Sequence, residues 1–176
     1  MLYLLNKVRF YVSIALFIPL LLCFGANVKA NTEKKDDPSF LTFGIGYYDF
    51  NRKKETGAEI RAEYRSDRKV LFFKPFASFS ATNTSQGFVG GGILLDLFFG
   101  RRIVLTPSFA PHYYWGGNKK LDLGHSIEFR SQMEGAYRFA NRSRLGIAIS
   151  HYSNAGLGKT NPGTETGTIY LSLPLQ

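Results

Sequence analysis

Hydrophobic and polar positions alternate with a period of two along most of this chain. The clearest run is Ala58-Glu59-Ile60-Arg61-Ala62-Glu63-Tyr64-Arg65. An extended backbone puts Ala58, Ile60, Ala62 and Tyr64 on one side and the four charges on the other, whereas a helix would scatter those charges around its axis. The same rhythm predicts eight strands, over residues 40–50, 56–66, 70–81, 87–99, 103–115, 125–139, 144–154 and 165–175. Their length is that of a tilted strand crossing a bilayer, about 9–11 residues. No helical pattern of useful length competes with them.

The connections differ in kind. Ser66-Asp67-Arg68-Lys69, Gly100-Arg101-Arg102 and Ala140-Asn141-Arg142-Ser143 are short and basic. Asn51–Glu55, Thr82–Gln86, Trp115–Gly124 and Ala155–Thr164 are more open. Short turns on one rim and longer loops on the other follow the pattern of outer-membrane barrels, with the longer loops facing out of the cell. One strand face is apolar (Leu41, Phe43, Ile45, Tyr47, Val89, Ile93, Leu95, Leu97, Leu145, Ile147, Ile149), and the other carries Glu59, Arg61, Lys74, Asp96, Glu128, Arg130 and Glu134. A soluble sandwich or lipocalin-like barrel would have to turn those charges to water. A narrow membrane barrel can pair them in its lumen. Tyr47, Tyr48, Tyr113, Tyr114 and Trp115 near strand ends suit interface girdles. The expected fold is therefore all-β, an eight-stranded antiparallel outer-membrane β-barrel over residues 40–176.

The residues before the barrel change what the composition means. Lys7 and Arg9 precede an apolar run from Val12 to Phe24, too short to span a bilayer, and Val28-Lys29-Ala30 offers small residues at a cleavage site. Residues 1–30 read as a removed secretory signal, and polar residues 31–39 as a flexible leader. Of the 176 residues, 146 then remain; Lys7, Arg9 and Lys29 leave, so the net charge falls from +9 to +6. That charge is spread over turns, loops and lumen, which makes nucleic acid a poor partner. Cys23, the one cysteine, leaves as well. An exported protein of this size without disulfides needs another source of stability, and a closed barrel in a membrane supplies one.

Candidate chemistry gathers at the seventh and eighth strands. Continuing the apolar parity of Leu145, Ile147 and Ile149 places His151 and Ser153 on the lipid face. Running back from Gly167, Ile169, Leu171 and Leu173 places Glu165 there too. All three then converge on the outer rim, where a polar cluster facing lipid costs free energy and asks for a function. Serine is a weak nucleophile without an adjacent base; a histidine can take its proton and an acid can orient the imidazole. Asn154 and the N–H of Gly156 follow directly and can serve as an oxyanion hole.

At these residues the chain resembles the outer-membrane lipid A 3-O-deacylase family (PagL), whose motif is His-x-Ser-Asn near the end of the penultimate strand, with an acid twelve residues after the serine. His151, Ser153, Asn154, Gly156 and Glu165 stand at the matching positions. The resemblance implies an eight-stranded barrel with its active site on the outside, at the level of the outer leaflet of a Gram-negative outer membrane. It implies Ser153 as nucleophile, His151 as base, Glu165 as the orienting acid, and Asn154 and Gly156 as oxyanion donors. It also implies lipopolysaccharide (lipid A) as substrate, hydrolysis at its 3-O acyl ester, no metal or organic cofactor, and room for a homodimer. A non-catalytic barrel, adhesin or structural, fits the strand pattern equally but leaves the cluster unexplained. A lipid A acyltransferase would hold its acyl chain inside a barrel whose lumen here is charged.

Other features are weaker. The ending Leu173-Pro174-Leu175-Gln176 lacks the aromatic residue usual in such barrels, which bears on assembly. His112 and His125 read as rim histidines without the partners a metal site needs. Gly90-Gly91-Gly92 lacks the Lys-Ser/Thr of a phosphate loop and reads as a place where a strand bends or a bulky neighbour fits. Arg52, Lys53, Lys54, Lys119, Lys120 and Lys159 are outer-loop cations, available to lipid phosphates or simply solvated.

Overall fold

The computed structural model describes residues 37–118 and 120–175. The expected signal over 1–30 lies outside the described residues, as do most of the leader and Gln176. Among the described residues nine strand elements form: β1 (Phe40–Tyr48), β2 (Gly57–Arg65), β3 (Lys74–Thr82), β4 (Gly87–Leu94), β5 (Leu97–Phe99), β6 (Ile103–Trp115), β7 (Ile127–Arg138), β8 (Arg144–Ser153) and β9 (Thr164–Pro174). All pairings are antiparallel. The order β4-β3-β2-β1-β9-β8-β7-β6-β5 closes through β4 and β6 into a barrel.

β4 and β5 are two halves of one transmembrane strand, so the barrel has eight. Both halves keep one register against β6, Leu94 opposite Ser108 and Leu97 opposite Leu105. Leu95 donates its N–H to Pro107 O at 3.1 Å. Pro107 has no N–H to return, so the ladder lapses at Leu95 and Asp96. The triglycine packs close against the same strand, where a Cβ on Gly90 would meet the Cα of His112 at 2.8 Å.

Side chains sort between the two faces as the alternation predicts. Ile45, Ile60, Ile147 and Ile149 point outward and are exposed on the bare protein, while Glu59, Arg61, Glu63, Arg65, Glu128, Arg130 and Glu134 are buried in the lumen. The lumen is filled by stacked ion pairs. Arg65 bridges Glu63 at 2.8 Å and Glu134 at 2.7 Å, and Arg130 reaches Glu63 at 2.8 Å. Arg61 donates to Gln132 at 2.9 Å and to Tyr152 at 3.1 Å. Burying such charges is costly unless they are paired, and an eight-stranded barrel is narrow enough for every cation to reach a partner across it.

Each end of the lumen has its own seal. At the end carrying the short turns, Arg144 binds Asp96 at 2.8 Å and also Asp37, and Lys74 binds Asp96 at 3.1 Å. Asp37, within the expected flexible leader, is buried: Asp96 alone faces both Arg144 and Lys74, and Asp37 supplies a second carboxylate, paired with Arg144 and Arg138. At the other end Tyr48, Phe88, Tyr114, Leu121, Leu123 and Tyr152 form an apolar cluster, roofed by the loop after β6. His112 belongs to the lumen and not to a rim; it is buried, with Nε2 2.7 Å from Ser78 Oγ. The first short turn is longer than its sequence suggests, because β3 begins at Lys74 and Val70–Phe73 stay outside the strands.

Candidate active site

β8 and β9 run side by side with His151 directly opposite Glu165. Both side chains point out of the barrel, and His151 Nδ1 lies 3.1 Å from Glu165 Oε1. This contact follows from strand geometry: directly opposed residues bring their Cβ atoms within about 5.5 Å, close enough for an imidazole and a carboxylate to meet. Ser153 ends β8 two residues on, on the same outward face. The Ser153 Oγ and the His151 Nε2 bond to no described residue, so the ring nitrogen facing away from the acid is open. The intervening Tyr152 is buried in the lumen, its ring 4.4 Å from that of Phe88, which pins the end of β8.

The loop after β8 shapes the space above the pair. Gly163 has φ +63, and a Cβ there would stand 3.2 Å from His151 Cε1 and 2.9 Å from Tyr152 O. Glycine thus answers both the left-handed backbone and the close approach. Arg52, from the loop after β1, places its Nε 3.6 Å from Glu165 Oε2, the carboxylate oxygen that His151 does not use and that accepts no hydrogen bond. The sequence marks Arg52 only as one rim cation among several, and only the loop fold brings it to the acid.

Asn154 and Gly156 lie beside Ser153 but face each other. Asn154 is fully buried; its Nδ2 donates to Leu123 O at 2.9 Å and Thr160 O at 2.8 Å, and its Oδ1 accepts the Gly156 N–H at 2.9 Å. Its own N–H donates to Asn161 Oδ1 at 3.1 Å. The two expected oxyanion donors therefore brace the loop in this structure. The Ala155 N–H between them bonds to no described residue. No cluster of three or more metal-ligating side chains occurs among the described residues.

Beneath the pair the wall is apolar. Gly167 lies between Ile149 of β8 and Tyr47 of β1, and its missing side chain leaves a shallow depression edged by Tyr47, Ile149 and Ile169. A polar triad-like cluster at the rim thus sits directly above a strip of hydrocarbon-compatible surface.

These features define a class: an outer-membrane β-barrel with a serine, a histidine and an acid on its outside wall. Comparison with known proteins narrows it. A sequence profile of the family described as lipid A 3-O-deacylase (PagL) matches residues 71–174, more than half of the chain. The chain belongs to that family. It is 28% identical over 130 residues to the lipid A deacylase PagL of Pseudomonas aeruginosa, an alignment covering 74% of this chain and 65% of the relative. Among solved structures, the outer-membrane enzyme PagL superposes with a TM-score of 0.62 at 18% identity, covering 77% of this chain and 99% of the other. A de novo designed transmembrane β-barrel superposes with a TM-score of 0.53 at 11% identity, over 79% and 96% of the two chains. Both superpositions speak to the fold. Fold and family together make this an outer-membrane protein.

Proposed function

We propose that this chain is an outer-membrane esterase that hydrolyses the 3-O-linked acyl chain of lipid A through Ser153, His151 and Glu165. The observation that carries the reading is the outward-facing His151–Glu165 pair at 3.1 Å, beside Ser153 and above the apolar wall. His151 Nε2 takes the Ser153 hydroxyl proton as Oγ bonds to the ester carbonyl carbon, and Glu165 stabilises the imidazolium through Nδ1–H. The tetrahedral oxyanion collapses, the sugar oxygen leaves with the proton from His151, and an acyl-serine remains. Water, deprotonated by His151, then releases the fatty acid and restores Ser153.

Placing this chemistry on the lipid side has a physical rationale. The acyl chain stays in hydrocarbon throughout, lying in the depression at Gly167, while the headgroup meets the rim cations at the outer-leaflet level. Oxyanion stabilisation by Asn154 and Gly156, the roles the family resemblance suggests, requires the Gly156 N–H to leave Asn154 Oδ1 and the Asn154 Nδ2 to leave the carbonyls of Leu123 and Thr160. The Ala155 N–H is the donor already open at that turn. All three reacting groups come from one chain, so the chemistry asks for no second copy. The filled lumen argues against an acyltransferase that would house its chain inside.

The test is mass spectrometry of lipid A from cells expressing the protein or Ser153→Ala. Loss of one hydroxyacyl mass with the wild type, and none with the variant, is expected. An unchanged spectrum with folded wild-type protein refutes the esterase, and a gain in mass indicates a transferase.

A further inference from the structure

The three turns on the rim opposite the candidate site are not alike. Those after β5 and β7 are built from Gly100, Arg101 and Arg102 and from Ala140, Asn141 and Arg142. The hairpin joining β2 to β3 instead ends in Val70-Leu71-Phe72-Phe73, where Val70, Leu71 and Phe72 are 69%, 82% and 75% exposed. Leu71 and Phe72 are more exposed than any lipid-facing isoleucine of the wall. The tip is also ordered. Val70 and Phe73 exchange backbone hydrogen bonds, Val70 N to Phe73 O at 2.8 Å and Phe73 N to Val70 O at 3.2 Å.

Two features of this turn run against protein stability. Leu71 has φ +60, a conformation that tight hairpin turns normally give to Gly, Asn or Asp. Three large apolar side chains face outward at a position where the other two turns carry arginine. Arg142 in the turn after β7 shares the left-handed backbone, at φ +69, so it is the outward apolar surface that sets this tip apart. The tip continues the lipid-facing surface of its own hairpin, formed by the exposed Tyr64 of β2 and by Pro75, Ala77 and Phe79 of β3. Arg68 and Lys69 precede the apolar residues directly, where an amphipathic segment meeting lipid carries its cations.

We infer that Val70–Phe73 is a lipid anchor that inserts into the periplasmic leaflet of the outer membrane, with Arg68 and Lys69 at the phosphate level. Anchored there, the hairpin fixes the height of the barrel in the bilayer. It thereby fixes the height of the candidate site at the opposite rim. The anchor rests on the barrel's orientation and not on the esterase reading.

The test places a reporter on the tip. Trp115 is the one tryptophan of the chain, so Phe72→Trp in a Trp115→Phe background gives a single fluorophore there. The full-length protein is refolded into phosphatidylcholine vesicles with and without bromine on the acyl chains. Insertion predicts emission shifted to shorter wavelength, quenched by brominated lipid and shielded from aqueous iodide. Long-wavelength emission quenched by iodide overturns the proposal. Short-wavelength emission that brominated lipid leaves untouched also overturns it, since the tip is then covered by protein. A second variant, Leu71→Gly with Phe72→Asn, supplies better turn residues, with glycine at the one central position of positive φ, and less apolar surface. It should fold at least as well in detergent and lose stability relative to wild type in vesicles; equal stability in both media counts against the anchor.

Discussion

Arg52 offers the sharpest test of how the outer-wall cluster is organised. Its guanidinium stands 3.6 Å from Glu165 Oε2, while His151 occupies Oε1. The carboxylate is thus held from two sides, and losing Arg52 would free it to swing from the imidazole. At 3.6 Å the attraction is about 1 kcal/mol in a water-like dielectric and about 4–5 kcal/mol at an effective value near 20. Arg52 is 37% exposed and Glu165 15%, so the lower end applies, about 1–2 kcal/mol. If that energy serves to align Glu165, Arg52→Gln lowers kcat roughly 5- to 30-fold, since 1.36 kcal/mol is tenfold in rate. The assay compares lipid A with an uncharged p-nitrophenyl acyl ester in mixed micelles. A positioning residue acts on turnover whatever the substrate's charge, so both substrates lose kcat and Arg52→Lys recovers part of it. Wild-type turnover of the neutral ester by Arg52→Gln, with lipid A weakened only through KM, refutes the reasoning and makes Arg52 a phosphate ligand instead.

Two further predictions concern the barrel and the loop. Glu63→Gln removes the charge that Arg65 and Arg130 share in the lumen and should cost about 3–5 kcal/mol in urea titrations of the refolded protein. Glu128→Gln should cost little or stabilise, because neither oxygen of that buried carboxyl has a hydrogen-bond partner; equal losses for the two variants would contradict the described network. Gly163→Ala, at φ +63 with its new Cβ 3.2 Å from His151 Cε1, should cost about 1–2 kcal/mol in backbone strain. It should also lower kcat roughly tenfold by displacing the ring a few tenths of an ångström, while heat-modifiable gel migration reports an intact barrel; an unchanged kcat would show that the loop does not bound the site.

The division between what the sequence reveals and what it hides follows the range of each interaction. A period of two determines which face a side chain takes, so lumen charges and wall isoleucines are legible one residue at a time. His151 and Glu165 are legible for the same reason: each inherits its face from regular strand neighbours, and a hairpin sets them opposite. The lapse at Leu95 and Asp96 is hidden because its cause, Pro107, lies on the partner strand. The tip at Val70–Phe73 is hidden because four apolar residues with no Gly, Asn or Pro read as the start of a strand. Arg52, Gly163 and the bracing role of Asn154 depend on how two loops fold over the rim, which no periodicity encodes. The candidate site therefore joins two kinds of information. Its acid–base pair is written in the strand pattern, and the groups that orient that pair and bound its substrate space are set by loop conformation. Substitutions in the loops should accordingly tune rate and selectivity while leaving the barrel intact, and substitutions in the lumen should do the reverse.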